Sequence, residues 1–239
     1  MHHDPTAPRQ PPVPISIDVL YRDDDIVVVD KPSGLSVHRG DDHGSTFALN
    51  LTRDAISQWV YPVHRLDRGT SGVLVFALSS EVARALHDAF ATRGVDKRYL
   101  AVVRGKPPES GLIDSPMEKR FGGPRVEAST EFKRLFVSEV IRLSLVEAIP
   151  KTGRRHQIRR HLRRINHPIA GDVNYGKGME NRSYRAGIGL YRLGLHAHQL
   201  AFDHPVTAER VCFKSRVPED LAAPLRRMGT PSELLAHQA

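Results

Sequence analysis

The chain has 239 residues, 40% of them hydrophobic and 26% charged, a composition typical of a globular protein rather than of a disordered or fibrous one. Its single cysteine, Cys212, excludes an intramolecular disulfide and a thiolate metal cage, and it favours a reducing compartment. The longest apolar runs fall short of the roughly 18 residues of a transmembrane helix, and the first residues lack the apolar core of a signal peptide. We therefore predict a cytoplasmic protein without a membrane span.

The charge balance points to a polyanionic partner. Thirty-five Lys and Arg residues against 27 Asp and Glu residues give a formal net charge of +8, and the isoelectric point is about 9.9. Such an excess suits a nucleic acid, because neutralising phosphates releases condensed counterions. A positive net charge also serves solubility alone, so the placement of the charges has to decide.

The predicted elements begin after a tail. Residues 1–14 contain five prolines and few apolar side chains, which predicts a flexible segment. The next elements, predicted from β-branched runs and helical spacing, are strands at 26–29 and 73–78, a helix from Ser79 or Ser80 to about Gly94, a strand at 98–103, a loop over 105–125, an antiparallel pair of strands at 126–137 and 140–149, a helix at 156–166 and a strand at 195–202. This mixture predicts an α+β fold with a mainly antiparallel sheet, in one domain over 15–228 followed by a C-terminal tail over 229–239.

The segment 151–166 combines an apolar stripe with a strong positive charge. Ile158, Leu162 and Ile165 are spaced to anchor one face of a helix in the core. The basic residues, expected on the remaining surface, are Lys151, Arg154, Arg155, Arg159, Arg160, Arg163 and Arg164. A solvated helix face is the alternative interpretation. The segment has no carboxylates to form i,i+4 pairs, however, so its self-repulsion favours an RNA or DNA backbone as partner.

A lone acid stands in a second basic segment. Asp67 lies between Arg65 and Arg68 and precedes a Gly-Thr-Ser-Gly turn. Positive charge nearby favours the ionised form of a carboxylate, which then acts as an anionic nucleophile rather than as an acid. The alternative is a salt bridge that only holds the loop, and spacing alone favours this alternative.

Several segments carry a family resemblance. HRLDRGTSG at 64–72 resembles the signature of the RluA-type pseudouridine synthases. Further segments that are similar to that family, in the same order, are KPSGLSVH at 31–38, KRYLAVVRG at 97–105, TGRRHQIRRHL at 152–162, GDVNYG at 171–176 and LHAHQLAFDHP at 195–205. The resemblance covers nearly all of 15–215. It implies the pseudouridine synthase fold, a mixed, mainly antiparallel sheet with flanking helices and loops around a central basic cleft.

The resemblance also implies a reaction and roles. The family breaks the bond between ribose C1′ and uracil N1 and rejoins the base through C5, so no cofactor and no metal are expected. Asp67 matches the aspartate that starts the reaction as nucleophile or base, and Arg159 matches the residue that pairs with it. Tyr99 matches a tyrosine that packs on the target base and assists removal of the C5 proton. Tyr99 is equally typical of a strand core.

Further contacts with RNA follow from the same resemblance. Ile158 is expected to pack against the uracil, although a core role is equally consistent, and Arg65 to fill the gap left by the flipped nucleotide. The candidates for RNA binding are Arg65, Arg68, Arg154, Arg155, Arg160, Arg163 and Arg164. Lys31 is expected to shape a loop near the cleft.

Smaller markers point to one branch of the family. The doubled Arg159-Arg160, the Asn181-Arg182 pair and residues 190–193 are similar to the branch that modifies uridine 65 on the acceptor-stem side of tRNA. The expected partner is therefore RNA, specifically tRNA, and the expected state is a monomer. The alternatives are a synthase acting on ribosomal RNA and a non-catalytic RNA-binding protein. A metallohydrolase is disfavoured, because the chain has no HExxH motif.

Overall fold

The computed structural model describes residues 16–39, 46–92, 94–118 and 122–236, so the predicted tail over 1–14 lies outside the described residues. The strands are β1 (Asp18–Arg22), β2 (Ile26–Lys31), β3 (Tyr61–Pro62), β4 (Ser71–Ala77), β5 (Asp96–Arg104), β6 (Ser110–Asp114), β7 (Met117–Glu118), β8 (Arg125–Val126), β9 (Ser129–Val137), β10 (Leu143–Pro150), β11 (Leu195–Asp203) and β12 (Arg210–Lys214). The helices are α1 (Ala48–Ile56), α2 (Ser80–Ala91), α3 (Gln157–Arg164), α4 (Gly178–Ile188), α5 (Glu219–Arg227) and α6 (Ser232–Ala236).

One large sheet organises this part of the chain. Its ten strands run in the order β1-β2-β4-β11-β5-β10-β9-β6, with β3 also paired to β4 and β12 to β11. The β4–β11 pairing is parallel, and the other pairings between described strands are antiparallel. The predicted α+β fold with a mainly antiparallel sheet is confirmed. The predicted pairing of 126–137 with 140–149 is confirmed as well, by the antiparallel pair β9–β10.

In the first half of the sheet, β2 and β4 are covered on both faces because their apolar residues occupy consecutive positions. Successive side chains of a strand point to opposite faces. Val27 and Val29 of β2 therefore pack in the cluster that includes α1, whereas Ile26 and Val28 pack in the cluster that includes α2. The helix α2 begins as predicted, since the Ser79 side chain accepts a hydrogen bond from the Val82 backbone N–H at 3.2 Å.

The second half of the sheet repeats this sandwich. One face of β5 and β10 packs against α4 and α5 through residues such as Leu100 and Leu145. The opposite face packs against α3 through Ile158 and Leu162. The predicted apolar stripe of α3 is thus buried, and it holds this helix beside the centre of the sheet. Within the described ranges, the chain has no helix that is long and apolar enough to cross a membrane.

Several predictions of local structure were wrong. The predicted loop over 105–125 contains β6, β7 and the start of β8. Of the residues of β6, Ile113 alone is buried, so the strand lacks the alternation that would identify it. The helices α1, α4 and α5 were not predicted. α4 buries the polar Asn181 together with Tyr184 and Ile188, and α5 contains Pro224, a residue that normally indicates a break.

The C-terminal segment and the bounds of the basic helix also differ from the predictions. The segment predicted as a C-terminal tail contains α6, and its Leu235 packs against the cluster formed by α4, α5 and the sheet. The described residues 232–236 are therefore part of the folded domain. The basic helix is shorter than the predicted 156–166, because His156 has a left-handed backbone conformation with φ of 54° and Ile165 is the C-cap.

Candidate active site

Asp67 lies on the loop that leads into β4, and the loop after β2 is hydrogen-bonded to the residues that follow Asp67. The Gly34 N–H donates to the Arg68 carbonyl at 2.8 Å, and the Arg68 Nε–H donates back to the Gly34 carbonyl at 2.9 Å. The Ser33 hydroxyl donates to the Gly69 carbonyl at 2.8 Å. The segment that follows β2 therefore fixes the backbone on the C-terminal side of Asp67.

Lys31 joins the same two loops from inside the protein. Its side chain is fully buried, and its Nζ donates to the carbonyls of Pro32 at 2.9 Å, Leu35 at 2.7 Å and Arg68 at 3.4 Å. Burial and the neighbouring Arg192 lower the pKa of Lys31 to about 7. These contacts agree with the loop-shaping role predicted for Lys31.

Arg159 is the cation of the site and is shared by two carboxylates. Its Nη1 donates to Oδ2 of Asp67 at 2.9 Å. Its Nε and Nη2 donate to Oδ2 and Oδ1 of Asp172 at 2.7 and 2.8 Å, in the bidentate geometry that suits guanidinium. Arg159 is 6% exposed and Asp172 is 1% exposed. The expectation that the arginines of this helix face outward is wrong for Arg159, because burial of its charge is compensated by these two acids.

Charge stays on both members of the buried pair. Burial opposes the charge on Arg159, but hydrogen bonds to Asp172 and Asp67 outweigh it and raise the pKa of Arg159. Burial likewise opposes the charge on Asp172, but the hydrogen bonds and charge of Arg159 outweigh it and lower the pKa of Asp172. The guanidinium therefore contacts Asp67 through Nη1, while its Nε and Nη2 contact Asp172.

Asp172 is itself built into a tight turn. Its Oδ1 accepts the backbone N–H groups of Asn174 at 2.9 Å and Tyr175 at 3.0 Å. Gly171 has φ of +77°, and a Cβ there would lie 1.9 Å from the Arg192 carbonyl oxygen, so glycine is required. Sequence reasoning singled out the segment 171–176 but gave Asp172 no role. The available signal was a single acid directly after a turn glycine.

His156 lies on the other side of the Asp67 carboxylate. Its Nε2 is 3.8 Å from Oδ1 of Asp67, and its Nδ1 is 3.0 Å from the Tyr175 hydroxyl. Burial lowers the pKa of His156; the charge of Asp67 opposes this shift, whereas those of Arg159 and Arg155 add to it. Burial therefore favours the neutral form of this imidazole.

Two cavities meet at Asp67. A small cavity of about 430 Å³ contains most of the predicted site, and a large cavity of about 940 Å³ extends towards α4 and α5. The predicted residues that line the small cavity are Arg65, Asp67, Tyr99, Arg154, Arg155, Ile158 and Arg159. The large cavity adds the basic residues Arg39, Arg68, Arg185, Arg192 and Arg227. Asp67 and His156 border both cavities.

The apolar wall of the small cavity comes from the sheet and from α3. Tyr99 on β5 is half-buried, and Ile158 is 6% exposed. Burial raises the pKa of Tyr99, and the charge of Asp67 adds to this effect, so the phenol stays protonated. Ile158 belongs to the core cluster beneath α3 and Tyr99 packs against that cluster, so this wall of the cavity is continuous with the core.

Three predicted RNA-binding residues lie elsewhere. Arg160 is half-buried, whereas Arg163 and Arg164 are exposed at the end of α3. None of these three lines the two cavities. They project from the helix that carries Arg159, so α3 extends a basic surface away from the acid.

Comparison with known proteins gives these features a family. The model of the RNA pseudouridylate synthase family matches residues 25–164. The chain belongs to this family. It is therefore a pseudouridine synthase, an isomerase, and the match includes Asp67, Tyr99 and Arg159.

Its relatives extend the likeness over most of the chain. The chain is 42% identical over 217 residues to tRNA pseudouridine synthase C of Haemophilus ducreyi, covering 82% of this chain and 89% of the relative. It is 40% identical over 227 residues to the protein of that name from Vibrio parahaemolyticus, covering 86% and 92%. These likenesses confirm the family inferred from the motifs.

Solved structures confirm the fold. Human RNA Pseudouridylate Synthase Domain Containing 4 matches with a TM-score of 0.72 and 27% identity, covering 89% of this chain and 93% of that chain. Human RNA Pseudouridylate Synthase Domain Containing 1 matches with a TM-score of 0.72 and 26% identity, covering 90% of each chain. The predicted pseudouridine synthase fold is confirmed by these matches.

One group of side chains has the composition of a metal site. Asp23, Asp25 and His204 each offer an oxygen or nitrogen within 4.8 Å of the others. The Asp23 carboxylate already accepts the backbone N–H groups of Asp25 and Ile26 and the Tyr21 hydroxyl, and it faces His204 Nε2 at 3.2 Å. Its contacts are those of a turn at the end of β1.

Proposed function

We propose that this synthase isomerises uridine 65 of tRNA, with Asp67 starting cleavage of the glycosidic bond. One observation carries the proposal. The carboxylate of Asp67 stands at the junction of two cavities, with Oδ2 held by Arg159 at 2.9 Å and with Tyr99 and Ile158 on the adjoining wall. The relatives named tRNA pseudouridine synthase C, about 40% identical over most of this chain, support tRNA as the substrate.

The first step is extrusion of the target nucleotide into the small cavity. Its 430 Å³ falls within the roughly 300–1,000 Å³ of cavities that bind small organic groups. Removing a base from its stack costs a few kcal/mol. Arg65 is exposed and borders both cavities, which suits a side chain that takes the place of the flipped nucleotide.

Asp67 then acts on the ribose as nucleophile or base. The bond between C1′ and N1 breaks, the uracil turns within the cavity, and a bond forms between C1′ and C5. The C5 proton leaves and N1 gains a proton, so the reaction is redox-neutral and needs no group beyond this chain's side chains. Arg159 keeps the carboxylate aimed while Asp172 keeps Arg159 in place.

Tyr99 and Ile158 bind the base during its turn. A protonated Tyr99 offers an aromatic face and a hydroxyl beside Asp67, and Ile158 offers an apolar surface. The aromatic and apolar surfaces of this wall contact the faces of the uracil and leave it free to rotate. In this scheme the Tyr99 hydroxyl assists loss of the C5 proton by relaying it rather than by acting as a phenolate.

The basic residues around this centre hold the backbone of a folded RNA. Arg68, Arg154 and Arg155 lie at the cavities, and Arg160, Arg163 and Arg164 continue the surface along α3. Contacts with phosphate fix the register of the substrate, and loops that read RNA shape select the nucleotide. We also infer a cytoplasmic location from the single cysteine. We infer a monomer because residues of one chain line both cavities.

The test is product mapping on separate RNAs. Purified protein is incubated with tRNA and ribosomal RNA labelled with tritium at uracil C5, and pseudouridine is located by sequencing. We expect tritium release from tRNA, a single product at position 65, and loss of both with a tRNA carrying cytidine there. Product in ribosomal RNA alone would overturn the tRNA proposal. Binding of either RNA without product would favour the non-catalytic RNA-binding alternative.

A further inference from the structure

The two oxygens of the Asp67 carboxylate have different neighbours. Arg159 Nη1 donates to Oδ2 at 2.9 Å, whereas Oδ1 faces Nε2 of His156 at 3.8 Å. That separation exceeds a direct hydrogen bond, whose length is about 2.7–3.2 Å. A hydroxyl oxygen placed about 2.8 Å from both atoms spans it with an angle of roughly 85° at the oxygen. The gap between Asp67 and His156 therefore fits one bridging hydroxyl.

His156 is held in this position at some cost to the backbone. Its backbone has a left-handed conformation with φ of 54°, which residues other than glycine rarely adopt. Its ring meets that of Tyr175 edge-on, with centroids 5.6 Å apart, and the Tyr175 backbone is bound to Asp172. The same turn that anchors Arg159 thus aims His156 at the other oxygen of Asp67.

We propose that His156 binds the 2′-hydroxyl of the target ribose and thereby makes the site prefer a ribonucleotide. The inference rests on the proposed function, in which Asp67 acts on the ribose. C2′ is bonded to C1′, so a carboxylate within reach of this part of the sugar also lies beside the 2′-hydroxyl. His156 Nε2 lies 3.8 Å from Oδ1 of Asp67, a gap that one hydroxyl can bridge.

The donors and acceptors fix the direction of each bond. A carboxylate only accepts, so the 2′-hydroxyl donates to Oδ1 of Asp67 and accepts from Nε2–H of His156. Nδ1 of this neutral imidazole is then an acceptor, and the Tyr175 hydroxyl, 3.0 Å away, donates to it. The other charged groups that act on His156 are Arg155, Arg159 and Asp172. Glycosidases use an equivalent contact, in which bonds to a sugar hydroxyl strengthen in the transition state.

The test compares uridine with 2′-deoxyuridine at the target position of one tRNA. We expect wild-type kcat/KM to fall about ten- to hundredfold with the deoxy substrate, which corresponds to a hydrogen bond to a charged group. In His156→Phe the ratio should shrink at least about fivefold, because the ribo substrate alone loses a contact. His156→Gln, which keeps an N–H donor, should recover part of the ratio. His87→Phe, on the exposed side of α2 and outside both cavities, is the matched control and should keep the wild-type ratio.

The outcomes separate this inference from the proposed function. An active wild-type enzyme whose preference for ribose is the same in His156→Phe overturns the inference and leaves the function standing. A wild-type enzyme without product on the ribo substrate overturns the function itself. If His156→Phe does not fold by circular dichroism, Tyr175→Phe decides. It removes the donor to Nδ1, so the preference should fall, and an unchanged ratio again overturns the inference.

Discussion

The two ends of helix α3 carry the same side chain in opposite surroundings. Arg159, near its start, is 6% exposed and donates to two carboxylates. Arg163 and Arg164, in its last turn, are exposed and lie outside both cavities. A buried cation is tolerated only when paired, whereas an exposed cation is solvated and remains available to an external anion. One helix therefore links a fixed charge beside Asp67 to a surface suited to phosphate.

This difference leads to a division of effects. Changes around Arg159 should act on chemistry and folding, because its partners belong to the same chain. Changes at Arg163 and Arg164 should act on affinity and its salt dependence, because their proposed partner is RNA. The following variants test this division, starting from the largest expected effect.

Asp67→Asn tests whether the carboxylate that accepts from Arg159 starts the reaction. The amide keeps the shape of the carboxylate, and its oxygen still accepts from Arg159, but the anion is lost. We expect turnover to fall by about 10⁴-fold or more, with RNA affinity within about threefold of wild type. Single-turnover tritium release and filter binding measure the two quantities. Substantial remaining activity would show that another group starts the cleavage.

Arg159→Met tests the buried end of the helix. Removing the guanidinium leaves Asp172 as a buried, unpaired carboxylate, and breaking such a pair costs about 3–5 kcal/mol of stability. Turnover should fall by about 10²-fold or more even where the protein is folded, because Asp67 loses its 2.9 Å partner. Urea unfolding and tritium release are the measurements, with Arg163→Met as the control on the same helix. Equal stability of the two variants would refute the proposed difference between buried and exposed arginine.

The motifs predicted the contact between Asp67 and Arg159, but not the residue that supports it. Asp67 and Arg159 follow from motifs, and the apolar stripe of α3 follows from spacing. Asp172 could not be assigned, because its contact with Arg159 depends on a turn whose geometry is imposed by Gly171 and the nearby Arg192 backbone. A contact of this kind is set by tertiary structure rather than by local pattern.

The missed helices have a related cause. α4 buries only two apolar side chains, Tyr184 and Ile188, so its periodicity is weak. α5 has apolar residues at helical spacing but contains Pro224, which indicates a break. The strands β2 and β4, by contrast, are apolar at nearly every position, and their predicted cores at 26–29 and 73–78 are confirmed. Local pattern was informative where an element is buried on both faces, and it failed at helices that cover the sheet with one face and contain buried polar or helix-breaking residues.

Lys31→Met tests whether the buried lysine that joins the loops around Asp67 makes the stability of the fold depend on pH. The ordinary pKa of lysine, 10.5, falls to about 7 in the folded protein, so between these values the unfolded chain binds more protons and stability rises with pH. Below about pH 7 Lys31 is charged in both states, and the folded state carries the burial penalty.

The variant should lose about 1–3 kcal/mol at about pH 9, because the neutral amine of Lys31 still donates its two N–H groups to the carbonyls around it, those of Pro32, Leu35 and Arg68, and methionine has no donor. The deficit relative to wild type should be smaller at about pH 6, where the charged lysine itself destabilises the folded state. Urea unfolding of both proteins across this range is the measurement. A deficit that is constant with pH would mean that Lys31 keeps its ordinary pKa.

The smallest effect is expected at the exposed end of α3. In Arg163→Ala and Arg164→Ala, turnover at saturating RNA should equal wild type, since neither side chain reaches a cavity. If each arginine neutralises one phosphate, each change should lower the slope of log affinity against log salt by about 0.7–0.9. Filter binding over a series of salt concentrations measures this slope, and Arg53→Ala, on α1 and paired with Asp54, is the control. An unchanged slope would mean that the exposed end of α3 lies away from the RNA, and the basic surface would then end at the cavities.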